Sequence, residues 1–236
     1  MRLLFARHGH PDYRTDTLTD RGHEEAARLA EALDPYPLDG IYVSTHGRAQ
    51  ETAEYTLRRR AQEPILCDWL REIDGRYGYE GEAPEWVVGD PLPSAYELHP
   101  SDLFGGSRLY GYEEWHDQVD YGPWLRPRFA ALQVAFDELL AQEGYVREGL
   151  RYRVRIPNDR TLAFFCHDGV MRGLLSHLLY IPLPAALSLF CHDTAGFTML
   201  RAIEDNGYAV FAMVFINNVA HKQNGDGDQY TRPVGT

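Results

Sequence analysis

The stretch MRLLFARHGHP, Met1 to Pro11, decides how the chain is read. An apolar run, Leu3-Leu4-Phe5-Ala6, leads into Arg7-His8-Gly9. Such a run closed by a glycine predicts a short buried strand ended by a turn. Strand side chains alternate between faces, so Arg7 and His8 share a pocket only if the strand ends near Arg7. Gly9 is the residue that lets the backbone turn there. A cation and an imidazole then stand at the carboxyl edge of a sheet, where open α/β folds bind ligands.

Outward from this strand, regular elements alternate. Thr19 is a plausible N-cap, and Ala26, Leu29, Ala30 and Leu33 fall at helical spacing before Asp34-Pro35 ends the helix. A strand follows over Ile41-Tyr42-Val43-Ser44, then a helix from about Arg48 to Arg60 and a third strand over Pro64-Ile65-Leu66-Cys67. This alternation calls for a largely parallel sheet with helices on its faces. From Ile73 to Pro123 periodicity fails, while tryptophans, tyrosines and glycines accumulate. So aromatic a stretch is no polar linker, and it reads as an inserted cap within a single domain spanning 1–236. Beyond it, Phe129, Leu132, Phe136, Leu139 and Leu140 mark one face of a helix that Gly144 ends. A hairpin around Glu148-Gly149 precedes Thr161-Leu162-Ala163-Phe164-Phe165-Cys166, the clearest central strand, with His167 at its end. Asp205-Asn206-Gly207 signals a last hairpin between Phe197 and Ile216, and the residues from about Lys222 read as a mobile tail. The fold class is therefore α/β, in three α/β/α layers, with a mostly parallel sheet of about six strands and an antiparallel end.

Composition narrows the function. The chain has 236 residues, 44% hydrophobic and 25% charged, with a net charge of −12. No basic face is evident, which argues against nucleic acid or an anionic membrane as partner. No apolar stretch approaches the roughly 20 residues that span a bilayer, and no signal pattern opens the chain, so a cytoplasmic location is expected. Cys67 and Cys166 lie in apolar runs and read as core residues; Cys191 completes an odd, widely spaced set without CxxC spacing. His8-Gly9-His10 lacks the further ligands of a metal site, so neither metal nor other cofactor is expected. The remaining histidines, His46 and His192 among them, read as surface or core residues.

The strand ends suit a phosphate monoester. Arg7 and Arg48 offer planar forks to phosphate oxygens, and the helices after Arg48 and His167 aim backbone N–H groups at the same point. A neutral imidazole can attack phosphorus in line, while an imidazolium stabilises equatorial charge. From residue chemistry alone, His8 and His167 are both candidates for the nucleophile.

The order of these motifs resembles the histidine phosphatase superfamily, in its phosphoglycerate mutase-like branch. The resemblance rests on Arg7-His8-Gly9, Leu18-Thr19-Asp20-Arg21-Gly22, Arg48-Ala49-Gln50-Glu51-Thr52-Ala53, Leu70-Arg71-Glu72 and Cys166-His167-Asp168-Gly169-Val170-Met171-Arg172. It implies that His8 forms a phosphohistidine and that Arg7, Arg48 and His167 complete the phosphate pocket. It also implies Glu72 as the acid that protonates the leaving oxygen, with Asp168 as the alternative; Glu80 and Glu82 are further candidates should the cap fold over the site. Arg172 reads as a buried ion-pair partner. The sequence departs from the family where His10-Pro11 replaces Glu-Thr and Glu51 replaces a Gln, which puts the family's substrate contacts in question. The expected activity is metal-independent hydrolysis of a small phosphorylated metabolite, its organic portion chosen by Trp86, Trp115, Tyr79, Tyr96 and Tyr110. A phosphomutase and a non-catalytic phosphate-binding module are the alternatives, and whether the chain forms a homodimer stays open.

Overall fold

The computed structural model describes residues 1–73, 111–119 and 121–222. In chain order its elements begin with strand β1 (Arg2–Arg7), the short strands β2 (Pro11–Asp12) and β3 (Thr17–Leu18), helix α1 (Asp20–Ala32) and strand β4 (Gly40–Ser44). Helix α2 (Gly47–Arg60), strand β5 (Ile65–Cys67) and helix α3 (Gly122–Gln142) follow. The hairpin β6 (Tyr145–Glu148) and β7 (Arg151–Val154) precedes β8 (Thr161–Cys166), α4 (Asp168–Leu179), α5 (Leu183–Leu189), β9 (Phe197–Asp205) and β10 (Tyr208–Asn218).

The sheet runs β5-β4-β8-β1-β9-β10-β7-β6. The four strands β5, β4, β8 and β1 are mutually parallel, and β1 pairs antiparallel with β9. Alternation along the central strands builds a core on each face. Leu3 and Phe5 of β1 join Leu162 and Phe164 of β8 beneath Phe129 and Phe136 of α3 and Leu175 of α4. Leu4 and Ala6 join Ala163 and Phe165 beneath Leu29 of α1 and Ala53 of α2. Three layers result, as expected. Phe164 is fully buried and stacks on Phe5 at 5.1 Å between ring centroids. Truncating such a ring to alanine costs about 3–5 kcal/mol, so this contact is a main holder of the β1–β8 pair.

Local signals account for the element ends. Thr19 caps α1 by accepting from Gly22 N. Asn206 and Gly207 both have positive φ, 48° and 77°, the geometry that a tight turn between β9 and β10 requires. Two features differ from expectation. The sheet has eight strands, because the β6–β7 hairpin joins its edge through Ala209–Tyr152 and Tyr208–Arg153; the hairpin is a local signal, whereas its partner strand is distant in sequence. Helix α5 also forms in a stretch for which no element is expected, with Pro184 in its first turn, where a missing N–H leaves no bond unmade.

Of the cap expected over 73–123, residues 74–110 and 120 lie outside the described residues. Trp86, Tyr79, Tyr96, Tyr110, Glu80 and Glu82 fall there, as does the tail from 223. Trp115 is described, and it corrects its expected role. It is 2% exposed and packs edge-on against Phe129, so it serves the core rather than a substrate. Among the described residues no helix is long and apolar enough to cross a membrane.

Candidate active site

β1 and β8 are parallel neighbours in register, with Arg7 opposite Cys166. The residues that follow them, His8 and His167, therefore leave the sheet side by side, and His8 N donates to Cys166 O at 3.0 Å. Their rings lie 5.1 Å apart between centroids, inclined at 56°. Gly9 serves this arrangement by close approach rather than by a left-handed backbone. It is absent from the residues with positive φ, and a Cβ there would meet Gly22 O of α1 at 2.6 Å. Gly9 N donates to Thr52 Oγ1 at 2.9 Å, and Thr52 Oγ1 donates to Arg48 O at 2.7 Å. The first motif is thus stitched to the helix that carries Arg48.

The ring of His8 is oriented by its own turn. Nδ1 lies 2.7 Å from Gly9 O, and since a carbonyl only accepts, Nδ1 carries the hydrogen. Nε2 then holds the lone pair and has no hydrogen-bond partner among the described residues. Burial, reinforced by Arg48 and Arg7, holds the His8 pKa well below the ordinary histidine range, so the ring is neutral. The same holds for His167, through burial and then Arg48, His8, His46 and Arg7. An imidazolium at His167 is therefore disfavoured, because several cationic and imidazole neighbours share one dry site; a phosphate dianion bound there would reverse that balance. His167 Nε2 lies 2.8 Å from Ser44 Oγ, while Nδ1 is buried without a partner among the described residues.

Arg7 and Arg48 are each 1% exposed. An Arg7 guanidinium N–H donates to His192 O, and Arg48 pairs with Asp16 from the β2–β3 loop and lies over the Tyr13 ring at 5.4 Å. Four cationic or imidazole groups thus surround one point at the strand ends.

The two candidate acids have opposite environments. Glu72 follows the short turn after β5 and is 7% exposed. Its Oε1 accepts from Ile73 N at 2.9 Å and its Oε2 from Gly169 N at 3.4 Å, at the start of α4. Burial and then the neighbouring Asp168 charge push its pKa up to about 7, against the pull of Arg48 and Arg7. Asp168 accepts from Arg172 at 2.7 Å, and its other oxygen lies 2.9 Å from His192 Nδ1. Burial raises its pKa, but the His192 hydrogen bond and the charges of Arg7 and Arg172 outweigh this and hold it well below the usual carboxylate range. Asp168 is locked as an anion, whereas Glu72 is poised to give and take a proton near neutrality. A cavity of about 250 Å³ lined by Trp69, Arg71, Arg128 and Val170 reaches Glu72.

The structure brings His8, His167, Arg7, Arg48, Glu72 and Asp168 to one place, and Arg172 is the buried ion-pair partner expected. His10 turns away, its Nδ1 3.0 Å from Thr19 Oγ1, and forms no pair with His8. Cys67 and Cys166 are buried, the Cys67 thiol pushed up to about 11, which makes both inert core residues. Sequence reasoning missed Asp16, Ser44, His46 and His192. His46, two residues before Arg48 at a strand-to-helix turn, had a positional signal; Asp16 and His192 had none, since only the tertiary fold brings their loops to the site.

Known proteins share this fold. Residues 3–92 match the sequence model of the histidine phosphatase superfamily (branch 1). A comparison with curated protein sequences gives no significant match. Among solved structures, a mycobacterial glucosyl-3-phosphoglycerate phosphatase in complex with VO3 is 22% identical with a TM-score of 0.59, over 92% of this chain and 98% of that one. A phosphoserine phosphatase from Entamoeba histolytica, in complex with 3-phosphoglyceric acid, is 18% identical with a TM-score of 0.58, over 93% and 98%. The alpha-ribazole phosphatase from Shigella flexneri is 19% identical with a TM-score of 0.56, over 92% and 96%. The chain has a histidine-phosphatase-type fold.

Proposed function

We propose that this chain, histidine-phosphatase-like in fold and in its first motifs, is a phosphatase that hydrolyses small phosphate monoesters through a phosphohistidine on His8. The observation that carries the reading is the His8 side chain: Nδ1 is tied to Gly9 O, so Nε2 holds the lone pair, with the His167 ring 5.1 Å away and the charges of Arg48 and Arg7 acting on it.

In the first step Nε2 attacks phosphorus while the bond to the ester oxygen breaks, and Glu72 gives its proton to the leaving oxygen. Arg7 and Arg48 hold the equatorial oxygens, which carry most of the charge in a loose transition state. His167, through its unpartnered Nδ1, gains a ligand as the dianion enters and then shares that role. In the second step water attacks phosphorus, Glu72 takes back a proton, the P–N bond breaks and phosphate leaves. Asp168, held ionised, acts on the site through Arg7 and Glu72 rather than by donating a proton.

The departures at His10-Pro11 and Glu51 from the family's substrate-contact motifs favour hydrolysis over mutase action. The test is phosphate release from an aryl phosphate, together with rapid alkaline quench of enzyme labelled by the substrate's phosphate. An acid-labile, alkali-stable phosphoenzyme is expected, absent from His8→Ala. Turnover that persists in that variant would refute His8 as nucleophile.

A further inference from the structure

Beyond the phosphate cage, a third imidazole extends the row formed by His8 and His167. His46 packs edge-on against His167, with ring centroids 5.0 Å apart and planes at 82°. His8 and His167 are sealed, whereas the His46 side chain keeps 14% of its surface and its partner Asp16 keeps 39%. Along this row it is the His46 end that meets solvent, so an ester whose phosphorus sits between the first two rings can lay part of its organic portion against His46.

The ring has no local structural duty that explains it. His46 stands at the N-cap of α2 but makes no side-chain cap bond. Asp16 does the capping instead, accepting from Gly47 N at 2.8 Å. Asp16 also lies 3.2 Å from His46 Nδ1, and because a carboxylate only accepts, Nδ1 carries the hydrogen. Nε2 makes no hydrogen bond among the described residues. Burial and Arg48 outweigh Asp16 and keep the ring neutral, so Nε2 is an acceptor. An acceptor gains nothing from phosphoryl oxygens, which are acceptors themselves. Arg48 and Arg71, both close enough to depress the ring's basicity, would repel an ammonium group. The donor that fits is a neutral hydroxyl.

We infer that His46, oriented by Asp16, is a specificity-determining residue that accepts a hydrogen bond from a hydroxyl on the organic portion of the substrate, favouring polyol phosphates over alkyl phosphates. This rests on the phosphatase reading above. Asp16 is a positioning residue that fixes the tautomer.

The test compares kcat/KM for glycerol 3-phosphate and n-propyl phosphate, which differ in their hydroxyl groups, in wild type, His46→Leu and His46→Gln. Wild type prefers glycerol 3-phosphate. In His46→Leu the preference falls by about tenfold, mainly through KM, as loss of one neutral hydrogen bond implies. His46→Gln, whose amide oxygen reaches the Nε2 position, restores part of it. A preference unchanged in His46→Leu within about twofold, or an equal fall on both substrates, overturns the inference while leaving the phosphatase reading intact. Failure of wild type to hydrolyse either ester while it releases phosphate from an aryl phosphate overturns the inference alone, and failure on all three overturns both.

Discussion

Two clusters of histidine, carboxylate and arginine are built into this chain, and they differ in how many of their hydrogen-bonding atoms are already used. Around His177, on α4, the bonds close on themselves. Nδ1 meets Tyr112 OH at 3.1 Å and Gln133 Nε2 at 3.0 Å, and Nε2 meets Asp137 Oδ1 at 2.9 Å. Tyr152 donates to the same Asp137 oxygen at 2.7 Å and accepts from Arg147 at 2.8 Å. At the strand ends, by contrast, His8 Nε2 and the buried His167 Nδ1 have no partner among the described residues. The lesson is that residue type does not separate a site from a strut. A satisfied network rigidifies the junction of α3, α4 and the β6–β7 hairpin, whereas buried atoms left unsatisfied cost stability and persist where a ligand completes them.

That contrast can be broken experimentally. The largest effect is expected for His8→Ala, which removes the nucleophile and should lower kcat/KM for an aryl phosphate by at least about 10⁴-fold, with the fold retained in a thermal melt. Next comes Glu72→Gln. For an alkyl phosphate, whose leaving oxygen needs a proton, kcat should fall by about 10²–10⁴-fold; the loss on an activated aryl ester should be smaller. Equal losses on both esters would argue against Glu72 as the acid.

The same variant sharpens the comparison through stability. The carboxyl of Glu72 is raised from 4.5 to about 7, so the folded state binds its proton more tightly than the unfolded chain does. The stabilisation is fully present below pH 4.5 and is lost as pH rises through about 7. Glu72→Gln cannot ionise, so its stability relative to wild type should be about 3 kcal/mol greater at pH 8 than at pH 4, measured by urea denaturation. A pH-independent difference would mean that Glu72 is not held protonated. The smallest effect belongs to the closed network. His177→Ala should destabilise the protein by about 2 kcal/mol, because it leaves Asp137 and its partners unsatisfied, while kcat/KM changes within about threefold. A larger loss of activity would make that cluster part of the site.

Much of the architecture was legible because it rests on short-range signals. The apolar runs Leu3–Ala6 and Thr161–Cys166, the Thr19 cap and the Asn206-Gly207 turn each act within a few residues. The pairing of β7 with β10 was not legible, since nothing local to Tyr152 or Ala209 names the other. The candidate site divides in the same way. Arg7, His8, Arg48 and His167 stand beside strand ends that their own neighbours predict. The choice between Glu72 and Asp168 stayed open, because it depends on Arg172 and His192, which reach Asp168 from α4 and from the loop after α5.

By itself, then, the sequence determined the alternation of strands and helices and the residues that end each central strand, since hydrophobic period and turn chemistry are properties of neighbours along the chain. Tertiary structure alone decided which carboxylate keeps its proton, which imidazoles are neutral and which nitrogen of His46 is left open. Those are matters of dielectric, charge and hydrogen-bond geometry, set by groups that meet only after folding.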